Sequence, residues 1–349
     1  MGKFKSDLGD LVNPSCFQEP LDASGCSKEV LISQLKMMLT IRMVEEVVAE
    51  LVIGGEAKCP CHLGIGQEAI PVGVSKLLKN TDHVFGGHRS HAHYLSVGGD
   101  VYGLFSEILG KVTGCSKGMG GSMHLFAGDK GFKGALPIVG GTTPIAMGAG
   151  LAAKMDGNGD VAVSYFGDGA VEGGVVQESL NLASVLDLPV LFVCENNLYS
   201  SHLDIQLRQS SDKVSRFAEA HRMENRVVDG NDVIAVSKAT EELLQLARAG
   251  KGPGFLEAIT YRWRGHVGPD ENIDVGVRRK NEDLLAWKKR DPIQRLVEGM
   301  ENEKLIGNGE LEKIKKDIRA SIIKAKDEAL EAPYPEKSAL LDLVYSDKK

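Results

Sequence analysis

No excess of positive charge marks this 349-residue chain: 41 Lys and Arg stand against 48 Asp and Glu, a formal net charge of −7. The basic residues along the carboxyl-terminal helices are interspersed with acids, so no nucleic-acid surface is indicated. No apolar run approaches the length of a membrane span, and Met1-Gly-Lys-Phe-Lys lacks the apolar core and cleavage pattern of a secretory leader. Met1-Gly2 followed by Ser6 fits the bare myristoylation pattern, a match that is common by chance. A cytoplasmic protein is expected, or a matrix protein after removal of a transit peptide if the source is eukaryotic. Six cysteines form no obvious disulfide framework, and Cys59-Pro-Cys61-His62 has no second Cys/His pair at zinc-ligand spacing. Cys194, in an apolar stretch, reads as a small buried hydrophobe. There is no internal repeat or low-complexity segment.

What is present is a large apolar complement, 42% of the residues, patterned for an α/β core. Val30 to Leu51 carries a helical stripe (Leu31, Leu35, Met38, Met43, Val47, Leu51). Residues 55–150 are glycine-rich, with short helices expected at Tyr102 to Leu109 and over the small residues Pro144 to Ala153, the latter packed closely on a sheet. Strands are expected at Val161 to Phe166, Pro189 to Cys194 and Phe255 to Tyr261, with helices at Gln177 to Leu186 and Val233 to Ala249. Beyond Asp291-Pro292 the chain turns helical and charged, and Leu311 to Leu330 reads as an amphipathic helix. The predicted organisation is an arm at 1–27, an α/β domain at 28–300 with a mostly parallel sheet flanked by helices, and a helical extension at 301–349.

The chemistry concentrates at Gly167-Asp168-Gly169 and Asn196-Asn197. Each follows an expected strand, and the helix between them makes a βαβ unit, so both emerge at carboxyl ends of parallel strands, where open α/β sheets bind ligands. A carboxylate and a carboxamide are hard oxygen donors suited to Mg²⁺, and the glycines admit phosphate oxygens close to the backbone. Alone, either motif is an ordinary loop; together they read as a magnesium diphosphate cradle. After Val84-Phe85-Gly86-Gly87, the run His88-Arg89-Ser90-His91-Ala92-His93 offers a guanidinium for phosphate and three imidazoles, of which His93 reads as a bystander. His266 lies in a loop, Arg264 to Pro269, where an imidazole can donate a proton or stabilise charge.

The segment Phe166 to Gly174 through Cys194-Glu-Asn-Asn-Leu-Tyr199 resembles the thiamine diphosphate signature of the alpha subunit of the decarboxylating component of 2-oxo-acid dehydrogenase complexes, with its pyruvate, branched-chain and acetoin members. Similar blocks recur in order between Leu31 and Pro292: Cys61 to Ala69, His88 to His91, Gly114 to His124, Ile138 to Gly141 and Tyr261 to His266. The resemblance implies the thiamine diphosphate-binding fold, with Mg²⁺ held by Asp168, Asn197 and the carbonyl of Tyr199. It implies the diphosphate on Gly169, Ala170 and Arg89 with His88 the neighbouring contact, the pyrimidine at Val139 and Pro137, Gly167 and His62 in the cofactor site, and His266 as the active-site histidine that also contacts the cofactor. It places Gly114 to His124 near the site entrance. Three departures stand out. Pro137 replaces a glycine common in the family, His88 fits acetoin-type better than pyruvate-type members, and Val267 with Pro269 to Asp274 replaces a loop that carries a phosphorylated serine in animal pyruvate enzymes.

In that superfamily the glutamate that activates the pyrimidine comes from a second domain, and single chains holding both halves run to more than ~500 residues. The resemblance therefore implies a beta subunit supplying the glutamate, an assembly of two alpha and two beta chains, and acyl transfer from a small 2-oxo acid, most readily pyruvate, to a lipoyl-bearing acyltransferase. An acetoin-cleaving variant is the alternative. A split transketolase-like half and a non-catalytic magnesium diphosphate-binding subunit are the remaining rivals.

Overall fold

Seven consecutive buried residues, Val190–Asn196, form a strand covered on both faces, which requires a parallel sheet with helices on either side. The computed structural model describes residues 5–271, 273–274 and 277–341; Met1-Gly2, Asn272 and the end of the expected extension at 342–349 lie outside them. The strands are β1 (His83–Gly86), β2 (Phe132–Ala135), β3 (Ala162–Gly167) and β4 (Val190–Asn196). A short antiparallel hairpin follows, β5 (Tyr199–Ser200) with β6 (Leu203–Asp204), and then β7 (Glu224–Asp229) and β8 (Gly254–Ile259). The six longer strands form one parallel sheet in the order β2-β1-β3-β4-β8-β7.

Alternation along the strands divides the core in two, because successive side chains point to opposite faces. Leu191 and Val193 of β4, with Leu256 and Ala258 of β8, face one cluster. Val190, Phe192 and Cys194, with Phe255, face the other. The first face is covered by α1 (Lys28–Gly54), α2 (Ala69–Ser75), α3 (His91–Ser96), α4 (Val101–Ile108) and later helices; the second by α5 (Thr142–Asp156), α6 (Gly174–Val185) and α7 (Arg216–Ala220). Cys194 is fully buried, as its apolar setting predicts. α8 (Val233–Arg248), α9 (Asn281–Lys288), α10 (Pro292–Asn302) and α11 (Asn308–Glu331) complete the fold. Expected and observed elements agree in type and differ by a few residues at their ends.

Local chemistry sets the boundaries. Asp232 caps α8 by accepting from the N–H groups of Ile234 and Ala235, both at 2.9 Å. Asp291 caps α10 ahead of Pro292, whose missing N–H costs nothing at the first helical position. α1 ends at Gly55, with φ of 80°. α5 lies close to the sheet because it presents small residues: a Cβ on Gly150 would stand 2.3 Å from Val190 Cγ2. The amino-terminal arm is not loose. Asp7 N donates to Asp212 at 2.9 Å, Leu21 N donates to Arg295 O at 3.0 Å, and Leu8, Leu21 and Ala23 are buried.

Candidate functional site

Register brings the two motifs together. Gly167 at the end of β3 pairs with Glu195 on β4, so Asp168 and Asn197 leave the sheet side by side at its carboxyl edge. Both are buried and both line one cavity of about 180 Å³. The two asparagines divide the work: Asn196 is fully buried and structural, with its amide donating to Asp212 O at 3.0 Å and to Glu257 Oε1 at 2.8 Å. Asn197 reaches the cavity instead, its amide donating to Gln67 Oε1 at 3.2 Å. Non-glycine residues Leu198 and Ser201 take positive φ, 69° and 52°, as the chain reverses sharply into the β5–β6 hairpin that brings Tyr199 to the cavity. A Cβ on Gly169 would stand 2.4 Å from Ser200 Oγ, so only glycine admits the hairpin at this distance.

Asp168 is a carboxylate in want of a cation. Burial raises its pKa, opposed chiefly by the guanidinium of Arg208, which contacts Asp168 and Glu172 at once. Arg208 thus supplies positive charge beside a buried carboxylate that requires it.

On the opposite wall, His62, His88 and His266 form a cluster of three imidazoles with ring centroids 4.7, 4.9 and 5.3 Å apart. Burial first, and then the neighbouring charge of Arg89, lower the pKa of His62 to about 3 and of His88 to about 2, so both rings are neutral near pH 7. Nδ1 of His62 is buried without a hydrogen-bond partner, an orphaned polar atom beside the cavity. Arg89 is the staple of this wall: Nη1 donates to Leu63 O at 2.5 Å and Nη2 to His266 O at 3.0 Å. Because those two carbonyls flank His62 and belong to His266 itself, one guanidinium ties together histidines about two hundred residues apart in the chain.

Of the residues singled out from sequence, His88, Arg89, Val139, Gly167, Asp168, Gly169, Ala170, Asn197, Tyr199 and His266 line the same cavity. His62 stands behind His88 and His266, and Pro137 is not among the lining residues. His93, read from sequence as a bystander, does line the cavity: it is buried, stacks on Tyr165 at 4.0 Å, and holds Glu195 at 3.1 Å through Nε2. His91 is also buried, with Nε2 2.7 Å from Ser122 Oγ and Nδ1 3.1 Å from Glu45. Neither is part of a solvated loop. Sequence reasoning missed Arg262, which is buried, lines the cavity and donates to Ser201 O at 2.8 Å. Its signal lay in the Tyr261 to His266 block, where only the histidine drew attention. Arg208 had no such signal.

The glycine-rich stretch Gly114 to His124 has almost no regular structure, as expected, yet it is firmly held. One buried carboxylate, Glu107 of α4, accepts from four of its backbone N–H groups: Ser116 at 2.7, Gly118 at 2.9, Gly120 at 2.7 and Gly121 at 3.1 Å. Beside it, the Glu45–His91–Ser122 chain joins the loop to the segment after His62, because Glu45 also accepts from Gly64 N at 3.1 Å.

Comparison with known proteins follows the same lines. The family described as dehydrogenase E1 component matches residues 35–338. The alpha subunit of acetoin:2,6-dichlorophenolindophenol oxidoreductase of Bacillus subtilis (strain 168) is 39% identical over 321 residues, covering 91% of this chain and 94% of its own. The pyruvate dehydrogenase E1 component subunit alpha of Rhizobium meliloti (strain 1021) is 37% identical over 314 residues, covering 90% and 89%. A mitochondrial counterpart from Dictyostelium discoideum is 35% identical over 326 residues, covering 93% and 85%.

Proposed function

The chain belongs to the dehydrogenase E1 component family, and from that membership we propose that it is the alpha subunit of a thiamine diphosphate- and Mg²⁺-dependent enzyme that decarboxylates a small 2-oxo acid, pyruvate first, and passes the acyl group to a lipoyl carrier. The family implies use of thiamine diphosphate, and alpha-subunit relatives imply a beta subunit and a complex. We further infer that the cofactor is held through Mg²⁺, that two alpha and two beta chains assemble, and that the acyl group passes to a lipoyl-bearing acyltransferase.

The observation that carries this reading is the meeting of two unlike walls on one cavity. The Asp168 and Asn197 side chains, with the Tyr199 carbonyl, would offer the hard oxygen donors that a magnesium diphosphate takes, on the wall where the hairpin packs closely on Gly169. The donor set fits the group. When bound, thiamine diphosphate supplies the nucleophilic carbon and the electron sink for decarboxylation. This chain's part is to bind and orient. Asp168 and Asn197 would hold the cation; Gly169, Ala170 and Arg89 would lie along the diphosphate; Val139 would pack on the pyrimidine.

His88 and His62, kept neutral, can donate or accept a hydrogen bond without adding charge. His266 would hold or move a proton at the substrate carbonyl. The rest of the pocket comes from a partner. Flanking the cavity, Ile138 and Val139 are mostly exposed, and the outer faces of α5 and α6 expose Met155 (80%) and Val185 (67%), an apolar surface of the kind that marks a protein interface.

An acetoin-cleaving activity is the second reading, favoured by His88 and by the acetoin relative. The test assays the chain together with its beta subunit. Carbon dioxide release from pyruvate supports the first reading, acetaldehyde release from acetoin the second, and turnover of neither, with cofactor bound, overturns both in favour of a binding subunit. Native mass measurement reads the stoichiometry.

A further inference from the structure

We propose that Cys59 and Cys61 are a redox-active dithiol, open to low-molecular-weight disulfides, whose closure into a disulfide displaces the histidine wall of the cofactor site. The consequence for the cofactor rests on the functional reading above; the chemistry of the thiols does not. Their sulfurs lie 3.9 Å apart across Pro60, in contact but unbonded. Cys61 is buried, while Cys59 is part-exposed and lines a surface cavity of about 510 Å³ together with Lys58, Gly120 and Gly121. An exchange reagent can therefore reach Cys59 and cannot reach Cys61. The roles of attacking and resolving thiol follow from that asymmetry. The neighbouring Cys61 thiol lowers the pKa of Cys59, and the Cys59 thiol, with burial, pushes Cys61 up.

The exchange balances without any other oxidant. The Cys59 thiolate attacks one sulfur of a disulfide RSSR, the S–S bond breaks, and one RS⁻ leaves and takes up a proton, giving Cys59–S–SR. Cys61 loses its proton to solvent and attacks Cys59 Sγ, expelling the second RS⁻, which is protonated in turn. Two protein thiols are oxidised by two electrons and one RSSR is reduced to two RSH.

Closure has to bring the sulfurs from 3.9 Å to about 2 Å; side-chain rotation supplies part of that approach and, with Pro60 restricting the residue between, the rest falls on the backbone. What moves is the segment that carries His62. The carbonyl of Cys61 accepts from Gly268 N at 2.9 Å, two residues beyond His266, and Leu63 O is held by the Arg89 guanidinium that also holds His266. A shift at Cys61 is thus transmitted to both histidines through bonds already in place.

The test takes the reduced complex of the chain with its beta subunit and incubates it with oxidised glutathione near neutral pH. The expected results are an alpha-chain mass lower by two hydrogens, with the Cys59–Cys61 peptide protected from alkylation. Tryptophan emission should change, since Trp263 stands three residues before His266 and is bonded to Ile65, and thiamine diphosphate affinity should fall by about tenfold or more. Dithiothreitol should reverse all of these, and Cys59→Ser and Cys59→Ala should be insensitive while keeping the affinity of the reduced protein. Unaltered thiols, a glutathione adduct that never resolves, or a disulfide that leaves tryptophan emission unchanged would overturn the proposal. Failure of the reduced complex to bind thiamine diphosphate would instead sink the functional reading, and emission would still judge this one.

Discussion

Asp168 and Arg208 meet from forty positions apart in the chain, and their contact decides what removing either would do. Asp168→Ala takes away a hard oxygen donor and leaves a guanidinium with Glu172 as its remaining carboxylate partner. Magnesium-dependent thiamine diphosphate binding should be abolished while the variant still folds; calorimetry that finds the affinity undiminished would refute the assignment. The neutral histidines carry a second prediction. His62 and His88 titrate far below their ordinary value in the folded chain, so between about pH 6.5 and pH 3 the unfolded state binds up to two protons that the folded state refuses. Stability is then highest above the unfolded value and is lost as pH falls below it. Urea unfolding at several values between about pH 7 and pH 5 should show that loss, and it should shrink in His62→Gln and His88→Gln.

At the scale of elements, Glu107 holds Gly114 to His124 in place of a sheet or helix ladder. Glu107→Ala leaves four backbone N–H groups without their acceptor, and charged hydrogen bonds of this kind contribute about 1.5–3 kcal/mol each. A loss of at least about 3 kcal/mol is expected by chemical denaturation, together with proteolytic nicking in the loop; Glu107→Gln should lie between it and the parent. The regular elements were legible because their signals are local. The apolar run at β4 and the helical stripe of α1 report burial directly, since period and composition express which faces are covered. The loop could be recognised as a loop from its glycines. That a carboxylate on the preceding helix organises it was not legible, because a buried glutamate and an exposed one look alike in sequence.

At the scale of the whole molecule, an apolar face beside the cavity is left uncovered among the described residues. Met155, Val185 and Ile138 stand on that face or beside the cavity, and each is more than half exposed. Expressed alone, the chain should bind thiamine diphosphate weakly, show no decarboxylation of any 2-oxo acid and self-associate, because on the proposed reading most orienting contacts and the cover for its apolar face would come from the beta subunit. Adding the beta subunit should restore binding and turnover together and abolish self-association in sedimentation. Carbon dioxide release by the isolated chain at a rate comparable to the complex would overturn the shared site.

The family, the parallel sheet and the meeting of the Asp168 and Asn197 motifs at one edge were legible in the chain, since those depend on short motifs placed on neighbouring strands whose order the βαβ rule constrains. Gly167, Asp168 and Asn197 could be chosen from the chain alone because strand register does the rest. The histidine wall is different. His62, His88 and His266 come from three distant segments, and only the folded chain shows that Arg89 binds them into one cluster, that burial keeps two of them neutral, and that His93 faces the cavity rather than solvent. The contact of Arg208 with Asp168 was likewise visible only in the tertiary structure. Periodicity carries information about which face is covered, whereas the distance between side chains remote in sequence exists only once the sheet has brought their loops to the same edge.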